Sequence, residues 1–275
     1  LNRYVNYFIR PGARHIAAVT ANMDVQNRTK LIAKSQTVEF SSIVGIIKRT
    51  QSAVFGGLYA YSGANTMYRK EALIDVGGFR QDRATEDISI AWDHQLNDWV
   101  SVFAPGIIFF MEVPVTLKML YRQRKRWAKG GTEVWLTNFK KVMLHPFEHI
   151  GRTIIFIDQT LSIVWSIFFC ISVILFIGLI GHYVYQGNYE QIYVTFTFSF
   201  VFICFEMVAG FFQLLASLIV DDRRRKLKYL LFAPLYMLLF WIVNAITIVT
   251  TFIPAVKTIL GYGSGTWKSP ERTKK

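Results

Sequence analysis

The chain has 275 residues, 52% of them hydrophobic and 16% aromatic, and carries a net charge of +13. So much apolar content is high for a protein surrounded by water and ordinary for one partly in lipid. Its two cysteines, Cys170 and Cys204, lie in apolar runs and exclude a disulfide framework or a cysteine metal site, and no helix-turn-helix, zinc-finger or aromatic single-strand platform argues for nucleic acid as a partner.

The basic excess is uneven. Residues 1–152 hold 21 Lys or Arg against 12 acids, and the remainder hold 10 against 6. Most of the excess therefore sits in the less apolar part, where it suits anionic lipid headgroups or a phosphorylated substrate. Leu1 to Ala18 carries Arg3, Arg10 and Arg14 with no acid and runs into "HIAAVTAN", which reads as a helix feeding a strand. The first residue is Leu1 and no signal peptide is visible, so the chain is expected to be a fragment of a longer one.

Ser35 to Gln51 has helical periodicity through Val38, Ile43, Ile46 and Ile47. "LYAYSGANTMYR" reads as a strand, a Gly-Ala-Asn turn and a second strand, and "EALIDVGGF" as a short helix stopped by Gly77 and Gly78. "RATEDISIAWDHQ" opens another helix, with Thr85 at the N-cap and Ile88, Ala91 and Trp92 on its apolar face. Glu86 and Asp87 in its first turn complement the helix dipole; a carboxylate there is equally placed to take a proton, and the stretch alone leaves both readings open. "VSVFAP" and "IIFFMEVP" follow as two strands, each closed by proline. Such alternation predicts an α/β layer structure over residues 1–150.

In "LYRQRKRWAKGG", Gln123, Arg126 and Trp127 stand at i, i+3 and i+4 and share one helical face. A basic amphipathic helix on anionic headgroups explains the charge, with Trp127 as an interfacial anchor, but not this combination of side chains followed by Gly130-Gly131.

Beyond Arg152 the character changes. Residues 154–180 and 192–220 hold one charge each, Asp158 and Glu206, and residues 229–256 hold none. Each run reaches the roughly 20 apolar residues that cross a bilayer core. "GHYVYQGNYEQ" between the first two has no Lys or Arg, whereas "DDRRRKLK" between the second and third has five, which puts the latter and the α/β region in the cytoplasm. The basic tail, residues 257–275, conflicts with three spans; a re-entrant third run kinked near Pro234 or Pro254 is the alternative. Glu206 in mid-membrane is costly unless paired and marks a polymer path or a subunit contact.

"TED" with Gln123-x-x-Arg126-Trp127, membrane spans following, resembles the paired signatures of processive family 2 glycosyltransferases, and "SGANTMYRKEALIDVGGF" resembles their acceptor-side segment. Within that family, "EFSSIVGIIKRTQS", "RWAKGGTEV" and "TWKSPER" are most similar to bacterial synthases of poly-β-1,6-N-acetylglucosamine, the biofilm polymer. The resemblance covers essentially the whole chain. It implies the second half of a glycosyltransferase-A type α/β domain followed by an α-helical transmembrane region, in a multi-pass plasma-membrane protein. It implies transfer from UDP-N-acetylglucosamine to a growing, exported β-linked polysaccharide, with a chitin, hyaluronan or glycolipid synthase or a noncatalytic transport component as alternatives. Asp87 is then the general base beside Glu86; Gln123 and Arg126 bind the donor diphosphate; Trp127, Asn65 and Gly63 bind the acceptor. For Asn65 and Gly63 the alternative is turn chemistry alone. The family's Asp-x-Asp, which holds Mg2+ or Mn2+, has no counterpart in the soluble region; its ligands are expected upstream of Leu1, and the chain alone is expected to be inactive. Partners implied are the UDP-sugar, the polysaccharide acceptor, membrane lipid and a small accessory membrane subunit.

Overall fold

The strand β1, Ile16–Val25, forms the centre of a three-stranded sheet in the computed structural model, which describes residues 1–221 and 225–263. Both faces of β1 are covered. Ala18 packs with residues of the helices α4, Lys70–Asp75, and α5, Glu86–Leu96, while Val19 and Ala21 pack with Tyr4 of α1, Asn2–Phe8. A strand buried on both sides reads as a continuous small and apolar run, which is what "IAAVTA" is. β2, Thr66–Tyr68, pairs antiparallel with β1, and β3, Val100–Met111, pairs parallel.

Two strand expectations are corrected. Leu58 to Tyr61 is not a strand, because its amides have other partners: Tyr59 N donates to Gln51 Oε1 at 3.1 Å and Tyr61 N to the Asp87 carbonyl at 3.3 Å. "VSVFAP" and "IIFFMEVP" are not two strands but one. The register jumps from Ala21 opposite Ala104 to Asn22 opposite Ile108, so Pro105 and its neighbours bulge out where a residue without an N–H is tolerated.

The periodic stretch after β1 becomes α2, Leu31–Phe40, a π-helical segment, Ser41–Lys48, and α3, Arg49–Phe55, in unbroken succession. The π segment carries Gly45 against Asp221, so closely that a Cβ there would lie 2.8 Å from Asp221 Cβ. α6, Leu117–Met143, begins at Thr116, whose hydroxyl accepts from Met119 N at 3.3 Å.

Three long apolar helices follow: α7, Ile150–Gln186, α8, Tyr189–Val220, and α9, Ala233–Ile259, the last entered through a 3-10 turn over Leu227–Phe232. At 1.5 Å per residue even α9 extends about 40 Å, long enough to cross a bilayer core. α9 is one helix through Pro254, with Pro234 in its first turn, so the break expected of a re-entrant segment does not occur. Asp222 and the end of the basic tail, including "TWKSPER", lie outside the described residues. The two parts share cores. Val38 of α2 and Leu120 of α6 pack with Leu214 of α8 and Met237 and Phe240 of α9, and Ile88 and Trp92 of α5 pack with Val134 of α6 and Ile155 and Phe156 of α7.

Candidate active site

Asp87 and Glu86 stand in the first turn of α5. Thr85 occupies the N-cap position with extended dihedrals, φ −137° and ψ 105°, yet its hydroxyl caps nothing. This corrects the capping expectation, and the reason is contact with α6. A Cβ on Gly130 would lie 1.9 Å from Thr85 Oγ1, so α6 lies directly on the Thr85 side chain, which is buried without a hydrogen-bond partner. Asp87 supplies the local compensation: its Oδ1 accepts from Ile88 N at 3.0 Å. Its other oxygen, Oδ2, accepts from Gly63 N at 3.3 Å. One carboxylate thus closes the helix end and faces the exposed turn at Gly63. Gly63 needs to be small, since a Cβ there would lie 3.1 Å from Glu86 Oε1.

α6 brings the second motif to the same place. Gln123, Arg126 and Trp127 are half-buried, and Gly130, one turn beyond Arg126, is the point of contact with Thr85. Farther along, Glu133 is fully buried and its Oε2 accepts from Ala84 N at 2.9 Å, fastening the residue before Thr85 to α6. Arg126 and Asp87 are electrostatically coupled, so the two motifs share one site. Among the described residues, buried Gln123 Oε1 has no hydrogen-bond partner. Trp127 is held from one side. The Arg124 guanidinium lies 4.5 Å from its ring centroid, and Arg124 is in turn bound to buried Glu39 at 2.6 Å. Trp127 also packs against the cluster of Val25, Phe40, Val44, Phe103 and Val113 and stays partly exposed.

Burial pushes the Asp87 carboxyl above its ordinary range, and the neighbouring Glu86 adds to this; Lys48, the Gly63 N–H and Arg126 pull the other way. Tyr59 and Tyr68 are also raised, first by burial and then by the Asp87 charge. A carboxylate displaced toward neutrality holds a proton more strongly, which is what a base acting near neutral pH needs.

Asn65 is brought to this turn but its side chain faces inward. It is 4% exposed, and its Nδ2 donates to the Ala21 carbonyl of β1 at 3.0 Å. Its part in shaping the turn is direct: Asn65 N donates to the Ser62 carbonyl at 3.0 Å. Lys48 and Glu133 were not singled out from the sequence. Each had a signal: Lys48 is the first charge after the apolar "SSIVGII", and Glu133 is an acid two residues beyond a Gly-Gly pair inside a helix.

Glu206 is exposed on α8 and lines a cavity of about 520 Å3 between α7, α8 and α9, with Ser162, Trp165, Gln213, Trp241 and Asn244. Among the described residues no three His, Cys, Asp or Glu side chains converge to hold a metal ion. Asp24 and Asp221 are neighbours, but Lys226 already lies between them, at 3.1 and 2.7 Å, so they do not fit a divalent cation.

A model described as glycosyl transferase family group 2 matches residues 1–260. The chain is 34% identical over 261 residues to a protein of Staphylococcus epidermidis named poly-beta-1,6-N-acetyl-D-glucosamine synthase, which covers 94% of this chain and 61% of that one. A protein of the same name from Staphylococcus aureus (strain COL) is 32% identical over 271 residues, 97% of this chain and 64% of that protein. The chain spans less than two thirds of the length of these curated relatives.

Proposed function

Since the chain belongs to glycosyl transferase family group 2, we propose that the full-length protein is a membrane-embedded, inverting and processive synthase. It adds N-acetylglucosamine from UDP-N-acetylglucosamine to a β-linked exopolysaccharide and exports the product. The observation that carries this is the convergence of Asp87, the Gly63 turn and Arg126 on one site whose helices pack directly on α7 and α9.

The chemistry follows from the placement. An acceptor hydroxyl is a weak nucleophile, and Asp87 takes its proton as the oxygen bonds to the anomeric carbon of the donor. The bond from that carbon to the diphosphate breaks on the opposite face, so an α-linked donor becomes a β-glycoside. Negative charge develops on the departing UDP, where Arg126 stabilises it and Gln123 hydrogen-bonds to it. Glu86 keeps the site acidic and raises the Asp87 carboxyl. Trp127, braced by Arg124, offers ring surface to the acceptor sugar. A divalent cation, Mg2+ or Mn2+, would add Lewis-acid stabilisation of the diphosphate; the described residues do not form its site.

The three apolar helices support residence in a membrane. Asp221 and Lys226, in the connection between α8 and α9, bond to Asn22 and Asp24 of β1, which puts that connection on the same side as the α/β region. With the basic residues of this connection, the positive-inside rule places both in the cytoplasm. The cavity around Glu206, with its hydroxyl, amide and indole lining, suits a sugar chain in passage.

Membranes holding the full-length protein, supplied in turn with labelled UDP-N-acetylglucosamine, UDP-glucose and UDP-glucuronate, test the reading. A polymer is expected from the first alone. Asp87→Asn is expected to lower synthesis by about 10² or more while UDP still binds, as loss of a general base does. Polymer from another donor would overturn the substrate assignment, and transfer from none would favour a noncatalytic membrane component.

A further inference from the structure

Lys48 is a buried cation that the reaction outlined above does not use. It ends the π-helical segment, is 7% exposed, and its Nζ donates to Ser62 Oγ at 2.8 Å. Among the described residues it makes no ion pair within 4.0 Å, and Asp87 is the opposing charge to which it is coupled. Burying a cation without a paired anion is costly, so its retention at this depth calls for a function.

Its partner places that function. Ser62 lies in a short segment held to Asp87 on both sides: Tyr61 N donates to the Asp87 carbonyl at 3.3 Å, and Gly63 N donates to Asp87 Oδ2 at 3.3 Å. Lys48 grips the residue between these two bonds. We propose that Lys48 is a positioning residue for the base: through Ser62 it fixes the Gly63 N–H against the carboxylate, and it sets its own positive charge facing Asp87. The proposal rests on Asp87 being the base.

The charges facing Asp87 are Glu86 on its own helix, Lys48 from the π-helical segment and Arg126 from α6, with the Tyr59 and Tyr68 hydroxyls beside them. Lys48 itself is lowered to about 8 by burial, so it is cationic at and below neutral pH. Removing its charge leaves burial and Glu86 less opposed. The Asp87 carboxyl then rises further, and the reactive carboxylate exists only at higher pH.

The test is the pH dependence of kcat for polymer synthesis by the full-length protein in membranes. Lys48→Met is expected to move the acid limb upward by about one pH unit, the scale of a neighbouring charge. Its loss relative to wild type is then several-fold larger near pH 6 than near pH 8. Lys48→Arg is expected to return the limb toward its wild-type position. Ser62→Ala removes the hydrogen bond and spares the charge, so it is expected to lower kcat and to move the limb by clearly less than Lys48→Met does. A Lys48→Met loss equal at every pH, or no loss at all, overturns the proposal, as does Ser62→Ala moving the limb as far as Lys48→Met. If Lys48→Met does not fold, the Lys48→Arg and Ser62→Ala profiles decide. Asp87→Asn run alongside separates the two readings: if it keeps more than about a tenth of the activity, Asp87 is not the base, whatever Lys48 does.

Discussion

Long-range side-chain hydrogen bonds concentrate in the α/β region, whereas the hydroxyls of the apolar helices mostly bond to their own helix. In the α/β region polar groups reach across the sequence: Arg124 to Glu39, Glu133 to the Ala84 amide, Lys48 to Ser62, Asn65 to β1. In α7 and α8 the hydroxyls fold back on their own helix. Ser166 donates to the Ser162 carbonyl, Thr197 to the Tyr193 carbonyl at 2.9 Å, and Ser199 to the Thr195 carbonyl at 2.8 Å. A helix surrounded by hydrocarbon must satisfy its polar atoms internally, whereas a folded layer can satisfy them with any neighbour the topology supplies. Geometry in the first region is therefore set by distant partners, and in the second by local periodicity.

The largest break of this contrast is expected at the Glu39–Arg124 pair. Arg124→Met strands a fully buried carboxylate and is expected to cost about 3–5 kcal/mol, read as a fall in the melting temperature of the purified protein. Adding Glu39→Gln is expected to recover part of that loss, because the uncompensated charge is gone. An unchanged melting temperature for Arg124→Met would mean that the pair is not buried in the membrane-bound protein.

A smaller effect is expected where α6 meets the Thr85 side chain. Gly130→Ala drives a methyl into Thr85 Oγ1, an overpacking expected to cost about 1–3 kcal/mol and to lower transfer with it. Thr85→Gly in the same protein is expected to restore activity by clearing the space. Failure of that double variant would show that Gly130 serves something other than close approach.

The smallest effect is expected on α8. Thr197→Val deletes a hydroxyl bonded only to its own helix, and is expected to change stability by less than about 0.5 kcal/mol and to leave synthesis unaltered. A marked loss of synthesis would instead give Thr197 a partner in the assembled membrane.

This contrast also explains what was legible from residue order. α7, α8 and α9 follow from composition and length, because their environment is uniform. α5 and α6 follow from periodicity, with Ile88 and Trp92 buried as their spacing requires. Thr85 was legible as a helix start but not as an uncapped one, since the residue that covers its hydroxyl, Gly130, lies 45 positions away. Leu58 to Tyr61 has the composition of a strand, yet the Gln51 side chain and the Asp87 carbonyl take its amides. Asn65 carried the right signal for a turn and no signal for which way its amide would face. Lys48 was missed for the same reason: its meaning lies in Ser62 and Asp87, on other elements.

The contact of Asn22, Ser41 and Gly45 with Asp221 also dictates an order of assembly. Asn22 Nδ2 donates to Asp221 Oδ1 across 199 positions, and Ser41 Oγ donates to its Oδ2 across 180. A ribosome adding about 5–20 residues per second needs roughly 10–40 s to travel that distance. For that interval the C-terminal end of β1 and the π-helical segment wait with their polar atoms hydrated, while the residues of α7 and α8 are made. Only once α8 has ended does Asp221 arrive to cover that end of β1, with Lys226 reaching Asp24 after it. A chain halted inside α8 would hold this seam open, with Asp24 still lacking the Lys226 cation that faces it in the finished molecule.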